Sequence, residues 1–141
     1  PNAKFIYIHR NPLDVYISMQ HLFSKVVETQ FLQYVTFPER KELIIHYFKA
    51  TLEKYLAEKD LIPKENLYEV GYDDFTGNEM FHAEKIYKQL NLGGFETAKP
   101  EIQKYLDSVK KYEKNKFRDL SPETEERLRK EWKFAFDEWG Y

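Results

Sequence analysis

The sequence predicts an α/β protein with a few parallel strands and about five helices. Three observations carry this. Phe5-Ile6-Tyr7-Ile8 is a short, near-continuous apolar run of β-branched and aromatic residues, as expected of a strand covered on both faces. A second short run, about Leu67 to Val70, follows only after two long stretches of helical spacing. Strands joined through helices in this way pair in parallel, by a right-handed crossover.

The order of elements is strand, helix, helix, strand, then three helices. After the first strand, Arg10 leads into Asn11-Pro12, where Asn11 can cap a helix and Pro12 suits its first turn. Val15, Met19, Leu22, Phe23 and Val26 continue at helical spacing and predict a buried stripe. Gln30 to Phe37 reads as an aromatic-rich connection. Thr36 then caps a helix with Pro38 in its first turn, running to about Lys59 on Leu43, Ile44, Tyr47, Phe48, Thr51, Leu52, Tyr55 and Leu56. Leu61-Ile62-Pro63-Lys64 ends it and leads to the second strand.

Thr76-Gly77-Asn78-Glu79 has the T-x-x-E form of a capping box, followed by a helix using Ala83, Ile86, Tyr87 and Leu90 and stopped by Gly93-Gly94. Ile102, Tyr105, Leu106 and Val109 predict the next helix. Ser121-Pro122-Glu123 opens the last, where Leu128, Trp132 and Phe136 form an i, i+4, i+8 core ridge. Glu123, Glu125, Glu126, Arg127 and Arg129 read as a solvated face with i, i+4 pairing.

Composition excludes several functions. A net charge of −2 argues against a nucleic-acid binder, which would show a basic patch, so positive charge for any phosphate must be local. No apolar run approaches a membrane span, and a cytoplasmic location is expected. With no cysteine, these residues make no disulfide and no thiolate site. His9, His21, His46 and His82 are scattered. Glu42 and His46 share a helix face without an obvious third ligand, so no metal is expected.

The chemistry concentrates where the first strand ends. Arg10 closes that strand, a helix opens beside it, and Ser18 follows eight residues later, close to the helix start. Ligands of open α/β sheets bind outside the carboxyl ends of strands. A guanidinium can grip two phosphate oxygens, and helix N–H groups attract an anion. The competing reading pairs Arg10 with a structural carboxylate such as Asp14, and bonds Ser18 back to its preceding turn.

The string K-F-I-Y-I-x-R-N-P-x-D-V-x-x-S over Lys4 to Ser18 resembles the 3′-phosphate motif of sulfotransferases that use 3′-phosphoadenosine 5′-phosphosulfate (PAPS). Asn66 to Phe75 is similar to that family's strand followed by Tyr-Glu-Asp-Leu, with Tyr72 at the tyrosine and Asp73 replacing the glutamate. Ile86 to Leu92 resembles its I-x-x-F-L-G-L helix end, Tyr112 to Phe117 its Trp-Lys-Asn-His-Phe stretch, and Trp132 to Tyr141 its closing residues. The matches are collinear along nearly the whole chain.

The resemblance implies a partial P-loop-type, sulfotransferase-like fold in which residues 1–141 form the carboxyl-terminal part of one domain. It implies that Arg10 and Ser18 hold the 3′-phosphate of PAPS and that Tyr72 lies beside the adenine. The complete enzyme would transfer a sulfuryl group from PAPS to an acceptor hydroxyl or amine, without a metal. Its partners would be the nucleotide, an unidentified acceptor and an amino-terminal segment of the same protein; no nucleic acid is expected. The family's glycine-rich 5′-phosphosulfate loop and its catalytic base would precede Pro1, so no catalytic residue is assigned here and this segment alone is expected to be inactive.

The family's Arg-Lys-Gly would fall near Leu106-Asp107-Ser108, where it is absent; Lys110, Lys111 or Lys114 could supply charge instead, with a solvated surface as the competing role. Two strands alone make a poor core, so either an exposed apolar surface or a further segment completing the sheet is expected. The alternatives are a non-enzymatic helical interaction module or inactive homologue, and a kinase-like phosphotransferase.

Overall fold

The computed structural model describes residues 2–26, 32–111 and 120–141. Its elements are β1 (Phe5–His9), α1 (Pro12–Lys25), α2 (Phe37–Glu58), β2 (Leu67–Gly71), α3 (Tyr72–Phe75), α4 (Glu79–Gln89), α5 (Phe95–Val109), α6 (Pro122–Glu131) and α7 (Lys133–Trp139). The fold is α/β. Among the described residues there are seven α-helices rather than five, because a four-residue helix follows β2 and the last helix divides in two. The chain forms two compact units. One comprises Pro1–Arg10 with Asp60–Asn115, the other Asn11–Lys59 with Lys116–Tyr141.

In the first unit β1 and β2 pair in parallel, Phe5 opposite Leu67 and His9 opposite Gly71. Alternation along β2 turns Tyr68 and Val70 inward, where they pack with Ile86 of α4, with Leu90 at its C-cap and with Phe75. Gln89 fixes the start of β2 from α4, its Nε2 donating to the Leu67 carbonyl at 2.6 Å. On β1, which among the described residues pairs with β2 alone, Phe5, Ile6 and Ile8 remain 45–50% exposed, an apolar surface of the kind the sequence leads one to expect.

Helix α4 ends on Asn91, not on Gly93-Gly94. Asn91 takes the left-handed conformation (φ 51°), the Leu92 N–H reaches the Tyr87 carbonyl at 3.0 Å and the Asn91 N–H reaches Lys88 at 3.3 Å. This is a Schellman ending, with asparagine in the place more often given to glycine. Gly94 instead opens α5, accepting the Thr97 and Ala98 N–H groups. Pro100 lies inside α5 as its sixth residue, past the first turn, where it gives no N–H to the Glu96 carbonyl.

In the second unit Asn11 caps α1, its Oδ1 accepting from the Leu13 N–H at 3.0 Å. The stripe on α1 is shifted from the one the spacing predicts. Pro12 and Tyr16 are buried, whereas Leu22 and Val26 are about half exposed. The reason lies in Trp132, fully buried, which Tyr16 meets edge-on at 5.8 Å and Phe48 of α2 at 4.3 Å. The Trp132 indole N–H donates to the Ile45 carbonyl at 3.3 Å, so the core of this unit forms around one aromatic ring with its polar atom satisfied.

Leu128, Trp132 and Phe136 are all buried as the ridge predicts, although the backbone breaks at Trp132 (φ −113°, ψ 21°) between α6 and α7. Thr36 caps α2 in a full capping box: Glu39 accepts from the Thr36 N–H at 2.7 Å and the Glu39 N–H donates to Thr36 Oγ1. Arg127 stays on the solvated face, with Glu131 at i, i+4 (4.0 Å), and also reaches across to α2. Both its terminal nitrogens grip Glu42 of α2, at 2.6 and 2.7 Å, and this pair keeps both Glu42 oxygens occupied. Arg129 does pair with Glu125 at i, i+4.

Candidate functional site

The parallel register sets the site. His9 and Gly71 are partners at the last rung of the ladder, so the next residues, Arg10 and Tyr72, both leave the sheet at its carboxyl edge. Alternation and pairing alone bring them together, although they are sixty-two positions apart in sequence. The Arg10 guanidinium carbon stands over the Tyr72 ring, 4.6 Å from its centroid, and both residues are half-buried. The attraction is between charge and ring quadrupole. It requires no hydrogen bond.

Tyr72 is the first residue of α3, and this four-residue helix is tied down from several directions. The Thr76 hydroxyl donates to the Tyr72 carbonyl at 2.8 Å, and the Thr76 N–H bonds the same oxygen at 2.9 Å. The Asp74 carbonyl accepts from Asn78 Nδ2 at 3.0 Å and lies 3.2 Å from His82 Nε2. The expected capping box at Thr76 therefore does not form. Its hydroxyl is engaged by the turn before it, and Asn78 is the N-cap of α4, while Glu79 accepts from the Gly77 N–H. The T-x-x-E pattern holds the tyrosine-bearing turn rather than the helix behind it.

Ser18 belongs to the second unit, on α1, with its residue exposed. It is the seventh helical residue, about 9 Å along the axis from Pro12 at roughly 1.5 Å per residue, and so beyond the first turn. The start of α1 is also less attractive to an anion than the sequence suggests. Pro12 has no N–H, the Leu13 N–H is taken by Asn11, and Asp14 adds a negative charge.

Lys110 pairs with Asp107 at 2.8 Å, which holds the Asp107 carboxyl below the usual carboxylate range, together with Gln103. It lines a groove of about 560 Å³ with Thr76, Asn78, Phe81, Gln103 and Leu106. Lys111 is exposed past the end of α5. Lys114, and the whole stretch from Tyr112 to Phe117, lie outside the described residues. Leu106-Asp107-Ser108 is part of α5, with the Ser108 hydroxyl bonded to the Tyr105 carbonyl.

A sequence profile of the sulfotransferase family matches residues 1–97, the stretch containing β1, Arg10, Ser18, β2 and Tyr72. The chain belongs to the sulfotransferase family. Over all 141 residues it is 29% identical to a Mycobacterium bovis protein named omega-hydroxy-beta-dihydromenaquinone-9 sulfotransferase Stf3, and equally to the Mycobacterium tuberculosis protein of that name. It spans 36% of the length of each of these curated relatives. No solved structure gives a significant match.

The positions of Arg10 and Tyr72 at the strand ends were readable from sequence, since each follows a short apolar run. His82 was not readable. It is buried between Tyr68, Phe75 and Phe81, with Tyr68 Oη 2.8 Å from its Nδ1. Only the approach of α4 to β2 reveals that contact; a single histidine on a helix gives no signal. Among the described residues no group of three or more His, Asp or Glu side chains is placed to hold a metal. No described helix is long and apolar enough to cross a membrane.

Proposed function

We propose that this chain supplies the nucleotide-binding edge of a PAPS-dependent sulfotransferase, with Arg10 and Ser18 holding the 3′-phosphate and Tyr72 beside the adenine. The observation that carries the reading is the contact between Arg10 and Tyr72 at the carboxyl ends of paired parallel strands. A guanidinium and an aromatic face, set together at such an edge, match a ligand that is anionic at one end and a flat base at the other. The Arg10 fork would grip the phosphate, and the Ser18 hydroxyl would donate to it from α1. One face of Tyr72 carries the guanidinium and the base would lie against the ring.

The chemistry supplied by bound PAPS is a sulfuryl group for an acceptor hydroxyl or amine, with adenosine 3′,5′-bisphosphate as leaving group. The names of the mycobacterial relatives specify an omega-hydroxy acceptor, which favours a hydroxyl. The residues described here contribute binding and orientation: Arg10 neutralises phosphate charge, Ser18 adds a hydrogen bond, and Tyr72 fixes the base plane. Their removal should therefore weaken nucleotide binding rather than alter the reacting centre.

Nucleotide selectivity tests the proposal. Wild-type protein should bind adenosine 3′,5′-bisphosphate roughly tenfold or more tightly than adenosine 5′-monophosphate, since the 3′-phosphate adds charge-assisted hydrogen bonds of about 1.5–3 kcal/mol. Ser18→Ala should narrow that gap. Equal affinity for the two nucleotides would overturn the assignment, and preference for ATP would favour a phosphotransferase.

A further inference from the structure

We infer that His82 is a positioning residue for nucleotide binding: it ties the turn carrying Tyr72 to the core of its unit and so holds the tyrosine ring in place beside Arg10. The inference rests on the nucleotide reading of Tyr72 given above. His82 is 5% exposed and Tyr68 is 7% exposed. The Asp74 carbonyl can only accept, so the contact at 3.2 Å places the proton on His82 Nε2. On the other side of the ring, Nδ1 lies 2.8 Å from the Tyr68 hydroxyl. Burial raises the Tyr68 pKa, with the Asp74 carboxylate adding to the shift, and this keeps the hydroxyl protonated.

A continuous path results: from Tyr68, the second residue of β2, through the imidazole on α4, to the carbonyl two residues after Tyr72. All of these groups belong to one unit. Phe75 and Phe81 flank the imidazole at 5.6 and 5.3 Å between ring centroids, so the ring is held by packing as well as by hydrogen bonds. A four-residue helix has little stability of its own, and its place depends on such ties. Asn78 shares the Asp74 carbonyl, so the loss of His82 should loosen the turn rather than release it.

Two variants separate positioning from folding. His82→Phe keeps an aromatic ring among Phe75 and Phe81 but removes both polar contacts. Tyr68→Phe combined with His82→Phe also removes the hydroxyl that the single change would strand, which is close to neutral for folding. Calorimetry with adenosine 3′,5′-bisphosphate should show binding weakened roughly three- to tenfold in His82→Phe and in the double variant. His82→Gln, whose amide can donate from near the Nε2 position, should recover most of the loss. In a Tyr72→Ala background the same changes at residue 82 should have no further effect.

Wild-type affinity in the double variant, or an undiminished effect when Tyr72 is already absent, would overturn the inference while leaving the nucleotide assignment intact. Failure of Arg10→Ala to change affinity would overturn the assignment itself, and this inference with it.

Discussion

At the scale of single residues, Arg10 and Tyr72 have their positions because a strand ends immediately before each of them. Arg10→Lys keeps a positive charge but loses the planar fork, so it should retain only part of the affinity for a bisphosphate nucleotide. Tyr72→Phe keeps the ring and should bind almost as wild type. Tyr72→Ala should lose roughly fivefold or more, since base stacking on an aromatic ring contributes about 1–3 kcal/mol. Equilibrium dialysis or calorimetry on the three variants would check this ordering. Both residues were legible in the sequence because strand, turn and helix follow one another locally. The ring contact between them was not, because it depends on the register that sets His9 opposite Gly71.

At the scale of elements, two identical T-x-x-E patterns had different outcomes. Thr36-x-x-Glu39 closes a capping box on α2, whereas the Thr76 hydroxyl goes to the Tyr72 carbonyl. A preceding turn with an available carbonyl decided the second case, and sequence spacing does not show such a competitor. Ser121 caps α6 through the Thr124 N–H at 3.3 Å, so Ser121→Ala should lower stability by about 1 kcal/mol in urea unfolding.

The pair between α2 and α6 gives a pH dependence. Arg127 holds the Glu42 carboxyl below the usual carboxylate range. Because the folded pKa is depressed, the stabilisation is fully present above the unfolded value of about 4.3 and is lost as pH falls through the folded value. The pair is exposed, so the effect should be under about 1 kcal/mol. Arg127→Ala should reduce the loss of stability on acidification from about pH 4.3 downwards, measured by thermal unfolding at successive pH values.

At the scale of the molecule, each of the two units has its own core. The long helical stretches and the Leu128, Trp132 and Phe136 ridge were legible, because a period of 3.6 survives even the break at Trp132. The burial of Tyr16 in place of Leu22 and Val26 was not legible, since it is Trp132 that selects which face of α1 is covered. Leu128 is fully buried, and Leu128→Ala should cost about 2–5 kcal/mol of stability in denaturant unfolding. The apolar face of β1 followed from the expectation that parallel strands are covered on both sides, and it stays half exposed here.

The role of Arg10 is tested most directly by calorimetric titration of adenosine 3′,5′-bisphosphate into wild-type protein and Arg10→Ala. The variant should fold normally and bind roughly ten- to a hundredfold more weakly, as expected for loss of a charge-assisted contact. Unchanged affinity in a folded Arg10→Ala protein would contradict the account.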